Sequence, residues 1–303
     1  MNKKLTKNFY PGHATCAGCG IPAIVRHILD STDDPVVVIN ATGCLEVTST
    51  LYPYTAWKVP YIHNAFENAA ATAAGVETAY KVLRRQNNNL PKRIKFVVFA
   101  GDGGTFDIGL QSLSGMLERG HDVLFVAYDN EGYMNTGGQR SSATPIGANM
   151  ETTPAGKQSL GNKIPRKNIM EIVDGHHINY LAQANVAYIE DLKKKAKKAL
   201  ETEGPSFLLV FQPCTNVWKF PISDYVKVGK LATETNYWPL FEIKEREYTI
   251  NIKPQSPKKI EEYLKTQRRF KHLFVLKNKN KNLVKNIQDN INREWKELLK
   301  KEK

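Results

Sequence analysis

Cysteine is scarce, four in 303 residues. That is too few to staple a small secreted scaffold, so catalysis, metal or redox chemistry comes first. Long apolar runs are missing as well. No stretch approaches the roughly 20 residues needed to cross a bilayer. The basic start Met1-Asn2-Lys3-Lys4-Leu5-Thr6-Lys7 has no apolar segment behind it, which argues against a secretory signal. Internal repeats are absent too. What is present is globular: 41% apolar and 24% charged residues exclude wholesale disorder. The expectation is a soluble cytoplasmic protein of one large domain or two modest ones, with no membrane contact.

Acidic residues are in deficit, with 43 Lys and Arg against 30 Asp and Glu for a net charge of +13. Ten of those charges lie in residues 251–303, where sixteen basic residues meet six acidic ones. Aromatics are sparse in that stretch (Tyr263, Phe270, Phe274, Trp295), and no nucleic-acid recognition motif accompanies them, so no nucleic acid is expected as a partner. A solvated basic face, or a docking surface for an acidic partner, fits better.

Short β-branched runs alternate with helical periodicity. Residues 35–40, 96–100, 123–128 and 206–211 read as strands buried on both faces, and residues 187–189 continue the rhythm. Helices are predicted over residues 20–29, with Pro22 in the first turn, over 107–119, and over the lysine-rich 191–203. Asn64 with Glu67 three residues later resembles a capping box opening an alanine-rich helix to about Gln86. The alternation predicts an α/β fold, a mostly parallel sheet with helices on both faces. Ligands of such sheets bind at the carboxyl ends of the strands. Residues 1–214 are expected to form that unit. Residues 215–303, with prolines at 221, 239, 254 and 257, read as a basic C-terminal extension packed on or beside it.

The cysteines fall as C-x2-C-x24-C-x169-C at Cys16, Cys19, Cys44 and Cys214. In Cys16-Ala17-Gly18-Cys19-Gly20 small residues separate the first two thiols, so backbone amides can turn toward sulfur. Cys44 follows a predicted strand through Ala41-Thr42-Gly43, and Cys214 follows another through Pro213. The spacing accommodates an iron–sulfur cluster. It also leaves open a zinc site split across the chain, a dithiol of Cys16 and Cys19 alone, and four unrelated core cysteines.

A second constellation begins at Ala100-Gly101-Asp102-Gly103-Gly104, directly after a predicted strand. Gly101 and Gly103 let the main chain approach an anion, and free N–H groups ahead of the next helix can cradle a diphosphate. Asp102 offers a carboxylate to a hard cation. About one βα unit later comes Asp129-Asn130-Glu131-Gly132-Tyr133-Met134-Asn135-Thr136-Gly137-Gly138-Gln139. One Asp, one Asn amide oxygen, one carbonyl and two diphosphate oxygens nearly fill the octahedral shell of Mg2+. The pairing points to thiamine diphosphate with Mg2+; two ordinary βα turns are the plainer alternative. His13, His63 and the His176-His177 pair lack a partner motif and read as surface or structural histidines.

With both constellations in hand, the chain resembles the β subunits of pyruvate:ferredoxin oxidoreductases (pyruvate synthases), within the 2-oxoacid:ferredoxin oxidoreductase family. The likeness runs from Gly12-His13-Ala14-Thr15-Cys16 to Pro213-Cys214 and takes in Ala41-Thr42-Gly43-Cys44, Gly101-Asp102-Gly103 and the stretch from Tyr133 to Pro145. It implies a thiamine diphosphate-binding fold in which Cys16, Cys19, Cys44 and Cys214 ligate one [4Fe–4S] cluster. It further implies that Asp102, Asn130 and the Gly132 carbonyl hold Mg2+. Gly101, Gly103, Gly104, Tyr133 and Cys44 would face the cofactor, with Asn135 as the catalytic residue near the reacting carbon. Single-chain relatives carry a glutamate two residues after the second cysteine, where this chain has Ile21.

The implied activity is oxidative decarboxylation of pyruvate with coenzyme A to acetyl-CoA and CO2, with electrons passing to ferredoxin or flavodoxin. The implied setting is a complex with an α subunit and with ferredoxin-like and small subunits. No glutamate here matches the one that acts on the aminopyrimidine, so the α subunit is expected to supply it and this chain to be active only with its partners. A relative acting on 2-oxoglutarate or branched-chain 2-oxoacids is the near alternative; Asn135 within Tyr133-Met134-Asn135-Thr136 favours pyruvate. A zinc-stabilised basic binding module and a non-redox thiamine decarboxylase are the alternatives from other classes.

Overall fold

A computed structural model describes residues 8–87, 89–275 and 281–302. The basic start at residues 1–7 and a few positions of the C-terminal basic stretch lie outside that set. The chain runs α1 (Ile21–Leu29), β1 (Val36–Ala41), α2 (Cys44–Ser49), β2 (Tyr61–Asn64), α3 (Ala69–Gln86) and β3 (Lys95–Gly101). It continues through α4 (Gly103–Phe106), α5 (Leu110–Glu118), β4 (Val123–Asp129), α6 (Ile169–Asp174), β5 (Tyr180–Asn185), α7 (Ile189–Glu201) and β6 (Ser206–Phe211). The last part holds α8 (Thr215–Trp218), α9 (Tyr225–Glu234), β7 (Leu240–Lys244), β8 (Glu247–Ile252), α10 (Ile260–Leu264), α11 (His272–Val275) and α12 (Lys281–Lys301).

One sheet organises the molecule, with strand order β2-β1-β3-β4-β6-β5-β7-β8. The first six strands run parallel, and β7 and β8 add to the β5 edge antiparallel. The central strands read as unbroken apolar runs because helices cover both faces. Phe96, Val98 and Ala100 of β3 face one core with α3, α5 and parts of α6, α10 and α12. Val97 and Phe99 face the other, with α1 and α7. At roughly 1.5–3 kcal/mol for each large apolar side chain removed from water, the alternation along β3 alone anchors helices on both sides.

The strand order places the functional ends. β1, β3, β4 and β6 are consecutive neighbours, with Asn40 opposite Phe99, Gly101 opposite Tyr128, and Asp129 opposite Phe211. Cys44, Asp102, Asn130 and Cys214 each follow one of these strands within three residues, so residues far apart in sequence emerge along one edge.

Some local readings are corrected. Asn64 is not a helix cap: it ends β2, paired with Ala41 of β1, and its Nδ2 donates to Thr72 Oγ1 at 2.8 Å. α3 begins at Ala69 behind Asn68, which makes no side-chain cap bond. Sheet pairing keeps the chain extended past the point where the local pattern would start the helix. The strand expected near 187–189 lies at Tyr180–Asn185 instead, because Tyr180-Leu181-Ala182-Gln183-Ala184-Asn185 has no β-branched residue to betray it. The helix expected over 107–119 is found as α5 (Leu110–Glu118), preceded by the short α4 and a turn in which Gly109 closes on Gly104; a Cβ at Gly109 would lie 1.8 Å from the Gly104 carbonyl oxygen. Among the described residues no helix is long and apolar enough to cross a membrane.

Candidate active site

A cavity of about 230 Å3 opens at the ends of β1, β3 and β4. Gly101, Asp102, Gly103, Asn130, Gly132, Tyr133, Asn135 and Cys44 line it, and Gly104 stands behind them in α4. Thr42, Gly43, Phe66, Tyr128, Met134 and Thr136 complete the wall. Thr42 and Gly43 belong to the motif around Cys44, whereas Phe66 lies in a turn after β2 that carries no sequence signal. Gly103 must be bare: an added Cβ would come within 2.2 Å of Tyr133 Cε1 and 2.7 Å of Phe66 Cζ. Tyr133 cannot easily retreat, since its hydroxyl donates to Asp107 Oδ2 at 2.7 Å.

Three polar groups meet at the floor. The end of the Asn130 amide lies 2.9 Å from both Asp102 Oδ1 and the Gly132 carbonyl oxygen, and its nitrogen, turned toward them, donates to both. Adjacent ligands of an octahedral Mg2+ with bonds of roughly 2.0–2.1 Å sit about 2.9 Å apart, so the same separations would serve neighbouring corners once the amide presents its oxygen. The other Asp102 oxygen is occupied, because Ser141 Oγ donates to it. Asp102 is buried, and burial together with the nearby Asp129 carboxylate pushes its carboxyl well above the usual range, against the Ser141 hydrogen bond. Asp129 and Glu131 are buried beside it, and the neighbouring cations are Arg166 and Arg269. Asp129 pairs with Arg166 and Glu131 with Arg269, and a divalent cation at Asp102 would favour the charged form that burial opposes. The residues fit a hard metal.

The four cysteines are free thiols. The Cys16–Cys19 loop is tied to α2 by Ala14 N–H donating to Thr48 O at 2.8 Å, and to α8 by Thr215 Oγ1 donating to Ala17 O at 3.1 Å. Gly18, at φ +72°, has no room for a side chain, since a Cβ would sit 2.4 Å from Ile222 Cγ2. The thiols share one neighbourhood. Burial pushes Cys19 up to about 12, with Cys214 and Cys16 adding to it against the Ile21 backbone N–H. Burial likewise raises Cys44, reinforced by the other three thiols, and Cys214. Donors reach the sulfurs from Val217 N–H at 3.5 Å to Cys214 and from Gln212 Nε2 at 3.7 Å to Cys19. Among the described residues, however, no three His, Cys, Asp or Glu side chains close into a single metal-holding group. Cys44 alone of the four also lines the cavity. Ile21 is buried as the first residue of α1 and faces the core.

The histidines divide. His176 is satisfied by Ser114 Oγ at 2.8 Å and Ile172 O at 3.0 Å. His13 stacks on Phe9 and meets Arg26, and His177 meets Arg246. His63 lies 2.9 Å from the cavity residue Thr42 and 3.8 Å from Glu46.

Comparison with known proteins identifies the family. The family described as thiamine pyrophosphate enzyme, C-terminal TPP binding domain, matches residues 41–210. A pyruvate synthase subunit PorB from Thermotoga maritima is 50% identical, over 95% of this chain and 90% of the relative. Its counterpart from Methanocaldococcus jannaschii is 50% identical over 88% and 89%. The chain belongs to the pyruvate synthase β-subunit family. This β-subunit homologue is thus an oxidoreductase subunit with a thiamine diphosphate-binding fold. A ketoisovalerate oxidoreductase subunit VorB from Pyrococcus abyssi is 42% identical, over 97% of the chain and 93% of the relative. Among solved structures, 2-oxoglutarate:ferredoxin oxidoreductase from Magnetococcus marinus, with 2-oxoglutarate, coenzyme A and succinyl-CoA bound, aligns at a TM-score of 0.56 and 27% identity. That alignment covers 71% of this chain and 69% of the other.

Proposed function

We propose that this chain is the thiamine- and cluster-bearing subunit of a pyruvate:ferredoxin oxidoreductase, converting pyruvate and coenzyme A to acetyl-CoA and CO2 and passing electrons to ferredoxin or flavodoxin. The observation that carries the reading is the meeting of the Asp102 carboxylate, the Asn130 amide and the Gly132 carbonyl at adjacent strand ends, in a chain half identical to pyruvate synthase subunits. Asp102, the Asn130 amide oxygen and the Gly132 carbonyl would hold Mg2+. The main chain at Gly101, Gly103 and Gly104, which open α4 after β3, would face the diphosphate. Bound there, thiamine diphosphate supplies an electron sink for decarboxylation. Tyr133, Phe66 and Met134 line the cavity with apolar surface that limits water, and Asn135 offers an amide at its wall. Cys16, Cys19, Cys44 and Cys214 would hold a [4Fe–4S] cluster; burial raises the Cys19, Cys44 and Cys214 thiols, so iron would have to ionise those three on binding. Cys44, which also lines the cavity, would bring that cluster to the cofactor side, where it would supply one-electron chemistry.

The partners are the α, ferredoxin-like and small subunits of the same complex. The decisive experiment is anaerobic assembly with those subunits, followed by viologen or ferredoxin reduction with a panel of 2-oxoacids and coenzyme A. Pyruvate is expected to give the highest kcat/KM, this chain alone no turnover, and the protein a brown colour with acid-labile sulfide. Preference for 2-oxoisovalerate would favour the second reading, a branched-chain 2-oxoacid enzyme, which the 42% identical ketoisovalerate oxidoreductase subunit motivates. Colourless, iron-free protein with full activity would overturn the cluster assignment.

A further inference from the structure

Glu131 stands between two of the proposed magnesium ligands, Asn130 and Gly132, yet does not line the cavity. It is fully buried and holds φ at +64°, a conformation uncommon outside glycine. Its carboxylate points away from the cofactor side. Oε2 accepts from Arg269 and Oε1 from the Tyr237 hydroxyl, and Arg166 Nη1 stands 3.8 Å from Oε1. Its carbonyl accepts from Thr144 Oγ1 at 2.8 Å and its N–H donates to Asp129 Oδ1 at 2.9 Å. Every polar group of Glu131 is therefore spent on fixing the backbone that carries its neighbours.

Arg269 comes from the other end of the chain, in the short 3-10 turn Arg268–Phe270 between α10 and α11. It is 3% exposed. Its guanidinium carbon sits 3.7 Å from the Trp218 ring centroid, a cation–π contact, and Trp218 Nε1 donates to the Asn130 carbonyl at 3.1 Å. Arg269 thus reaches the metal loop twice, through the Glu131 carboxylate and through the indole. Its own carbonyl is anchored by Asn149 N–H at 2.9 Å. A buried ion pair of this kind is poor evidence for stability and better suited to selecting one conformation.

We propose that Arg269 of the basic C-terminal extension is a positioning residue for the cofactor site. By gripping Glu131 and Trp218 it holds residues 130–132 so that the Asn130 amide stays between the Asp102 carboxylate and the Gly132 carbonyl. The inference rests on the magnesium reading above. It adds that the extension acts on that site from behind, through a pair 138 residues apart in sequence.

The test uses the assembled complex, stripped of cofactor and titrated with Mg2+ and thiamine diphosphate. Binding is followed by tryptophan fluorescence and the rate of cofactor loss after chelator, with kcat measured at saturation. Arg269→Met is expected to raise half-saturating Mg2+ and thiamine diphosphate at least ten-fold and to speed cofactor loss, with kcat at saturation within three-fold of the parent. Arg269→Lys, which keeps the charge, is expected to recover most of the affinity. If Arg269→Met fails to assemble, Glu131→Gln is the second probe and is expected to weaken cofactor retention in the same way. Half-saturation within two-fold of the parent in the variant that assembles, whatever happens to its melting temperature, overturns the inference. Asp102→Asn separates the two claims. If it binds cofactor as the parent does, the magnesium reading has failed. If it binds weakly while Arg269→Met binds normally, only the positioning role falls.

Discussion

Asp102 is a carboxylate that the folded protein keeps at a cost. Burial and the neighbouring Asp129 disfavour its charged form, so removing the charge should relieve the protein while disabling the site. Asp102→Asn is expected to melt no lower than the parent without cofactor, and to lose Mg2+-dependent thiamine diphosphate binding by roughly 100-fold, the scale of losing a charged ligand contact. Thermal melts with and without Mg2+ and cofactor check both halves; a lower cofactor-free melting temperature with unchanged binding would contradict them. Gly103→Ala tests shape in place of charge. The new methyl would meet the Tyr133 and Phe66 rings, and Tyr133 could yield only by leaving Asp107. At least a ten-fold rise in half-saturating thiamine diphosphate is expected, about 1.4 kcal/mol, measured by titration against the parent.

Among the elements, α3 shows how a helix is pinned to the sheet by one acid. Glu77 is buried on the inner face of α3, where His121 Nδ1 at 3.0 Å, the Asp122 N–H at 3.2 Å and Lys81 all reach its carboxylate. Burial alone would raise its pKa, but Lys81, His121 and the Asp122 N–H outweigh it and hold the carboxyl below its ordinary value. A lowered folded-state pKa stabilises the fold above the unfolded pKa of about 4.3, and that stabilisation fades as pH falls through the folded value. Glu77→Gln is expected to cost about 1–3 kcal/mol at pH 7, with the gap closing below about pH 4. Urea midpoints at the two pH values check it, and a gap that persists in acid would show that charge is not the source. Element by element, legibility followed local chemistry. The β-branched runs that became β1, β3, β4 and β6 were readable. β5 was not, and β2, four residues long, left no periodicity. The Asn64 and Glu67 spacing misled because β2 pairing with β1 outweighs a cap worth about 1 kcal/mol.

For the whole molecule, the β7–β8 hairpin closes the β5 edge of the sheet. Glu242 of β7 locks it there, accepting from the Tyr180 hydroxyl and from Lys198 Nζ, both at 2.7 Å, and from Asn251 Nδ2 at 3.0 Å. A chain ending at Thr235 would leave β5 as an apolar, unpaired edge, which templates association. It is expected to aggregate, while the full chain does not; light scattering and size exclusion decide, and a monodisperse truncated chain would refute the expectation. The extension also sends Arg269 against Glu131 in the loop after β4, so its basic exterior is only part of its use.

Sequence alone determined the α/β alternation, the glycine-flanked Asp102, the Asn130–Asn135 loop and the four candidate thiols, because period, turn chemistry and small-residue spacing are local properties of a chain. Only the tertiary structure decided that β1, β3, β4 and β6 lie side by side, bringing the Asp102 carboxylate to the Asn130 amide and Cys44 to the cavity wall. It also decided that Glu131 answers to Arg269. Strand order is selected by which faces of distant segments bury best against each other, and that global balance leaves no trace in the spacing of neighbouring residues.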